Sequence, residues 1–162
     1  MILAIDPGTT QSAYVFWDGK NKPLDFGLIE NEKIFEKIHT QPSLIVIEEI
    51  RSYGMAVGIE VFETVFWSGR FAQEAEKNGI KWDRIPRNEI KTHICKSSKA
   101  KDANIIQALI DRFALGVAGR GKGTKKQPGF FFGFKKDIWQ AFAVAVVYMD
   151  VNSGVRVRIE EV

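Results

Sequence analysis

The chain has 162 residues, enough for one domain with a sizeable core, and its 45% hydrophobic and 12% aromatic content excludes a disordered chain. The single cysteine, Cys95, excludes an internal disulfide framework. Net charge is only +3, yet residues 81–101 and 112–136 hold 14 of the 23 basic residues and 2 of the 20 acidic ones, which points to a basic face for a polyanion.

In chain order, Ile2 to Ile5 reads as a buried strand that runs into Asp6 and is stopped by Pro7-Gly8. Residues 12–17 and 25–30 read as the next two strands, separated by the turn signal Asp18-Gly19-Lys20-Asn21. Asn31 starts a short helix with Ile34, Phe35 and Ile38 at helical spacing. Leu44 to Ile47 forms a fourth strand that runs straight into Glu48. A long helix is expected over 55–78, with an apolar face of Val57, Val61, Phe62, Val65, Phe66 and Phe71 widened by Trp67; that face is broad enough for core packing or a subunit interface. A fifth strand spans 80–85, and helices follow near 89–95, 101–114 and 137–150. Residues 116–135 read as a loop rich in Gly and Lys, and the tail at 155–159 alternates like a further strand. The order βββ-α-β-α-β-α-α-α predicts an α/β fold, a five-stranded mixed sheet flanked by helices, in a single domain over 1–150 with a tail at 151–162. No apolar run approaches the ~20 residues that span a bilayer, and the N-terminus lacks a signal-peptide pattern. The protein is therefore expected in the cytoplasm, without a membrane partner.

Asp6 and Glu48 both end apolar strands, and Asp137 starts the last helix. If these ends converge, three carboxylates meet where their mutual repulsion calls for a cation. Oxygen-only ligation suits Mg²⁺, with Mn²⁺ as a substitute, and a pair of such ions can activate water and stabilise an in-line displacement at phosphorus. Alternation along a strand sends Glu48 and Glu49 to opposite faces, so only one joins Asp6; continuity with the apolar run favours Glu48 and leaves Glu49 to support from behind. Basic residues around such a site, Arg87, Lys91, Lys99 and Lys101 in the first stretch and Arg120, Lys122, Lys125 and Lys126 in the second, would hold a phosphate backbone. Phe130, Phe131, Phe132 and Phe134 either stack on bases or fold back onto the sheet. Acids amid bases read as a nuclease. A nucleophilic role for Cys95 lacks a recognisable base.

Four segments carry a resemblance: Ala4-Ile5-Asp6-Pro7-Gly8-Thr9-Thr10, Ile45-Val46-Ile47-Glu48, Ile85-Pro86-Arg87-Asn88-Glu89-Ile90-Lys91, and the closing Asp137-Ile138-Trp139-Gln140-Ala141-Phe142-Ala143-Val144-Ala145. Together, in this order over residues 1–150, they resemble RuvC Holliday-junction resolvases, most of all the divergent RuvC-like proteins of phages and prophages. The resemblance implies an RNase H-like fold, a homodimer in a bacterial cell or phage-infected host, and Mg²⁺-dependent paired nicks in four-way DNA junctions and other branched DNA. It implies metal-binding roles for Asp6, Glu48 and Asp137, and roles for Lys91 and Lys101 at or near the scissile phosphate.

The chain departs from that family's pattern twice. Gln140 stands where a fourth acid is expected: its amide oxygen can still accept from a metal-bound water, and either the site works with fewer acids, another carboxylate substitutes, or the chain is a catalytically impaired junction-binding protein. Arg51 stands where bacterial relatives carry a base-stacking aromatic residue, and Tyr53 lies two residues on. Asp6-Pro7-Gly8-Thr9-Thr10 is also similar to the phosphate loop of actin-like sugar kinases, but those need two duplicated halves and the chain has no repeat.

Overall fold

A computed structural model describes residues 1–152. Five strands form one mixed sheet: β1 (Ile2–Asp6), β2 (Gln11–Trp17), β3 (Asp25–Glu30), β4 (Leu44–Glu49) and β5 (Trp82–Pro86). Their order across the sheet is β3-β2-β1-β4-β5. The first three pair antiparallel as a meander, while β4 and β5 join β1 in parallel. The helices are α1 (Asn31–His39), α2 (Ile59–Lys77), α3 (Arg87–Cys95), α4 (Asp102–Phe113) and α5 (Ile138–Asn152). The element order is the expected one. The alternating tail falls outside the described residues.

Period-2 alternation divides the sheet's side chains between two cores. Leu3, Ile5, Ile45 and Ile47 pack under α1 and α2 with Ile34, Ile38 and Phe71. Ile2, Ala4, Val15 and Val46 face the other way, under α4 and α5. In α5 the ten residues from Ile138 to Val147 are all buried, so this helix has no solvent face over that length. A helix apolar on all sides belongs between layers, and α5 lies between the sheet and α3 and α4.

The turn after β1 is tied down by a buried hydrogen-bond triangle. The Gly8 N–H donates to Ser12 Oγ (3.2 Å), the Ser12 hydroxyl donates to Asn31 Oδ1 (2.6 Å), and Asn31 Nδ2 donates to the Gly8 carbonyl (3.0 Å). A Cβ at Gly8 would collide with the Gln11 carbonyl, so the turn requires glycine there. Asp6 is thus presented by a rigid strand and a rigid turn.

The 114–137 connection departs from a plain loop. Phe131 and Phe134 are fully buried and Phe130 packs against the same core, with Phe131 against Trp139 (ring centroids 4.6 Å) and Phe134 against Phe26 (4.7 Å). Three of the four phenylalanines therefore fold back, Phe131 and Phe134 completely and Phe130 in part. Phe132 alone of the four is exposed, at 44%. Phe131→Ala should cost about 3–5 kcal/mol in urea unfolding, the usual loss for a fully buried ring, and Phe132→Ala about 0.5 kcal/mol or less.

Candidate active site

The parallel register of β1 and β4 sets Ile5 beside Ile47, so the next residues, Asp6 and Glu48, leave the sheet as neighbours. Both follow the alternation of Ala4 and Val46 and therefore turn to the α5 face. Glu49 turns to the α2 face, where it takes Arg51 (2.7 Å) and Arg84 (3.6 Å). The strand's pleat thus gives the Glu49 carboxylate a different set of partners from that of Glu48.

Glu48 is 2% exposed, and Arg87, the first residue of α3, meets it through Nη1 at 2.9 Å from both carboxylate oxygens. Nη2 of the same guanidinium donates to Asp102 Oδ1 and lies 3.4 Å from Gln140 Oε1. Arg87 therefore bridges β4, α4 and α5. Asp102 starts α4 and belongs to no motif. An acid in the first turn of a helix reads as an ordinary dipole contact, and only the return of segment 96–101 brings it to Arg87.

Burial raises the Asp6 carboxyl well above the usual carboxylate range; Glu48 adds to this by repulsion, Arg87 opposes it, and Asp137 and Asp102 add further repulsion. Burial likewise raises Glu48, against the pull of Arg87 and Lys91. For Arg87, burial disfavours the charge, but Glu48, Asp102 and Asp6 more than offset it and hold the guanidinium above its ordinary value. No described side chain donates a hydrogen bond to the Asp6 carboxylate. Asp137 is exposed, and its carbonyl starts α5 by accepting from the N–H groups of Gln140 and Ala141 (2.9 and 3.0 Å).

Among the described residues, no three His, Cys, Asp or Glu side chains stand close enough together to enclose an ion. The donor set nonetheless fits a hard divalent cation: carboxylate and amide oxygens, with Asp6 lacking any other partner and neither thiolate nor imidazole in reach. His93 is held by Asp150 (2.8 Å), and His39 by Glu74 (2.7 Å). Burial pushes the Cys95 thiol up, against any thiolate role.

Beside the acids, Tyr53, Arg87, Asn88, Lys91 and Ser98 line a cleft of about 350 Å³. The Tyr53 hydroxyl donates to Asn88 Oδ1 at 2.6 Å while 55% of the residue stays exposed. Lys99 and Lys101 are exposed in the approach to α4, where the Lys101 N–H donates to Asn104 Oδ1 (2.8 Å).

The second basic group lies elsewhere. Thr124 and Gln127 close a small turn that exposes Lys125 and Lys126. Lys22 Nζ bonds the Pro128 carbonyl (3.0 Å), tying this turn to the β2–β3 connection. That connection follows Trp17, which pairs with Ile2 at the start of β1. Lys125 and Lys126 therefore sit toward the end of the sheet away from Asp6, and exposed Arg120 and half-buried Lys122 belong to the same connection.

No family model and no curated protein matches the chain. Among solved structures, RuvC from Thermus thermophilus matches with a TM-score of 0.61 at 15% identity, over 94% of this chain and 96% of that one. T. thermophilus RuvC in complex with a Holliday junction substrate matches with a TM-score of 0.62 at 13% identity, over 94% and 95%. The fold is that of RuvC. The mixed five-stranded sheet with flanking helices is the RNase H-like fold expected from the sequence. On this RuvC-type sheet, Asp6 and Glu48 share the edge formed by the C-terminal ends of β1 and β4. Among the described residues, no helix is long and apolar enough to cross a membrane.

The raised Asp6 pKa has a sign in folding. Between its unfolded and folded values the folded chain keeps a proton that the unfolded chain releases, so stability in EDTA falls as pH rises through that interval. Asp6→Asn removes this loss. Circular-dichroism melts in EDTA should show the variant melting a few degrees above wild type at neutral pH, with the gain shrinking toward the ordinary carboxyl value of 3.8.

Proposed function

We propose that the chain is a divalent-metal-dependent endonuclease acting on branched DNA, with four-way junctions as its substrate class. The observation that carries this reading is the parallel register that sets Asp6 beside Glu48 on one face, bordered by Arg87 and Lys91. The likeness to T. thermophilus RuvC, solved with a Holliday junction substrate, supports the choice of substrate.

Asp6 and Glu48 would hold Mg²⁺, or Mn²⁺ in its place, and exposed Asp137 would have to close on the ion to join them. Bound there, the metal supplies an activated water and charge stabilisation at phosphorus, as one ion or a pair. The chain's own residues do the rest. Lys91, half-buried in the cleft, offers a cation to the scissile phosphate, with Lys101 at the approach. Arg87 favours the ionised form of Glu48 against its burial. Tyr53 presents an anchored ring to a nucleobase from a left-handed backbone position (φ 48°). Lys99 and Arg120, Lys122, Lys125 and Lys126 serve the backbone of DNA arms, the last four at a distance from the cut.

Paired nicks need two sites. The exposed stripe of Ile59 (72%), Phe62 (65%), Val65 (47%) and Phe66 (63%) on α2 supports a homodimer through that helix. Core packing within one chain, the other reading of this face, holds at Phe71, Ala72 and Ala75, with Trp67 partly buried beside them. Phe66→Glu should convert the dimer to monomer in sedimentation velocity while leaving the fold intact.

Asp6→Asn should reduce Mg²⁺-dependent cleavage of a synthetic four-way junction to background while binding persists. Unchanged cleavage would overturn the assignment. Matched three-way, flap and linear substrates define the specificity, and equal cutting of linear duplex would leave a nuclease that is no resolvase.

The neutral Gln140 and the Arg87 contact on Glu48 favour one second reading, a junction-binding protein without turnover. It predicts tight binding, no product with Mg²⁺ or Mn²⁺, and activity gained in Gln140→Asp.

A further inference from the structure

Asp102 belongs to none of the motifs, yet it is a direct partner of the guanidinium that grips Glu48. One nitrogen of Arg87 is shared between the two oxygens of Glu48, at 2.9 Å each. The other is shared between Asp102 Oδ1 and Gln140 Oε1, and only the first of these carries charge. Glu48 is buried and Asp102 is 61% exposed, so a single cation spans a dry carboxylate and a wet one.

We propose that Asp102 is a positioning residue for the metal centre: it holds the outer nitrogen of Arg87, keeps the guanidinium from settling wholly on Glu48, and so leaves Glu48 able to take a cation. The proposal rests on the metal-dependent reading above. Without Asp102, Glu48 is the sole carboxylate bonded to Arg87 among the described residues, and an incoming metal has to displace an undivided salt bridge from a buried acid. Gln140 touches the same nitrogen but brings no charge. An acid at position 140 would divide the guanidinium as Asp102 does, although it arrives from α5 and not from α4.

This arrangement separates the role from a structural one. Asp102 is exposed, so its ion pair contributes little to folding, and a neutral residue there leaves the fold standing. A helix-dipole contact at the start of α4 would not be replaced from α5. Coupling through Arg87 would be.

The test is calorimetric titration of Mn²⁺ into the full chain, with melting temperatures in EDTA recorded alongside. Asp102→Asn should weaken Mn²⁺ binding about tenfold, the scale of losing an outer partner of a metal ligand, with little change in melting temperature. Gln140→Asp should restore the affinity of Asp102→Asn, and should gain far more there than in the wild-type background. Asp102→Ser, which keeps a residue suited to a helix start, repeats the measurement if Asp102→Asn does not fold. Wild-type affinity in the Asp102 variants, or equal gains from Gln140→Asp in both backgrounds, would overturn the proposal. A wild-type chain that binds no Mn²⁺, or binds it equally after Asp6→Asn, would overturn the metal reading and this proposal with it.

Discussion

Two carboxylates leave adjacent parallel strands on the same face, in surroundings too dry to screen them, and the architecture of this edge answers that repulsion. The pairing of Ile5 with Ile47 makes their proximity unavoidable. Burial and mutual repulsion both resist charge on Asp6. Arg87 compensates from α3 and is itself divided between Glu48 and Asp102. Several acids thus share Arg87, with Lys91 acting on Glu48 as well, a condition that favours a further positive charge.

The scaffold makes this arrangement stiff. The Gly8–Ser12–Asn31 triangle fixes the turn beyond Asp6 from one side. From the other, α5 is buried all round, so Gln140 cannot swing away from the site without unpacking the core. The exposed acids are Asp102 and Asp137, which are also the ones not set by strand ends.

Much of this was legible in the sequence, for particular physical reasons. Four apolar residues ending in one acid describe a buried strand that presents a carboxylate at its tip, and the pattern occurs twice, at Asp6 and Glu48. Period-2 alternation separates Glu48 from Glu49, and the structure places them on opposite faces. The apolar breadth of α2 was visible, but periodicity alone does not say which part of a face finds a partner within the chain; the far side does, and Phe62 and Phe66 do not. The four phenylalanines after Pro128 looked alike, yet only tertiary packing could sort buried Phe131 from exposed Phe132. Lys125 and Lys126 share a basic stretch with residues leading to Asp137, but the chain reaches the active edge only after passing along β3, so nearness in sequence overstated nearness in space. Asp102 gave no sequence signal, because its meaning depends on where the 96–101 segment returns the chain.

The decisive property of the Asp6–Glu48 edge is whether it takes a metal while Arg87 yields part of its hold. Anomalous diffraction at the manganese edge from crystals soaked in Mn²⁺ reads this directly. A peak is expected between the Asp6 and Glu48 carboxylates, with the guanidinium moved toward Asp102. An ion bound elsewhere, with Arg87 still on both oxygens of Glu48, would contradict it.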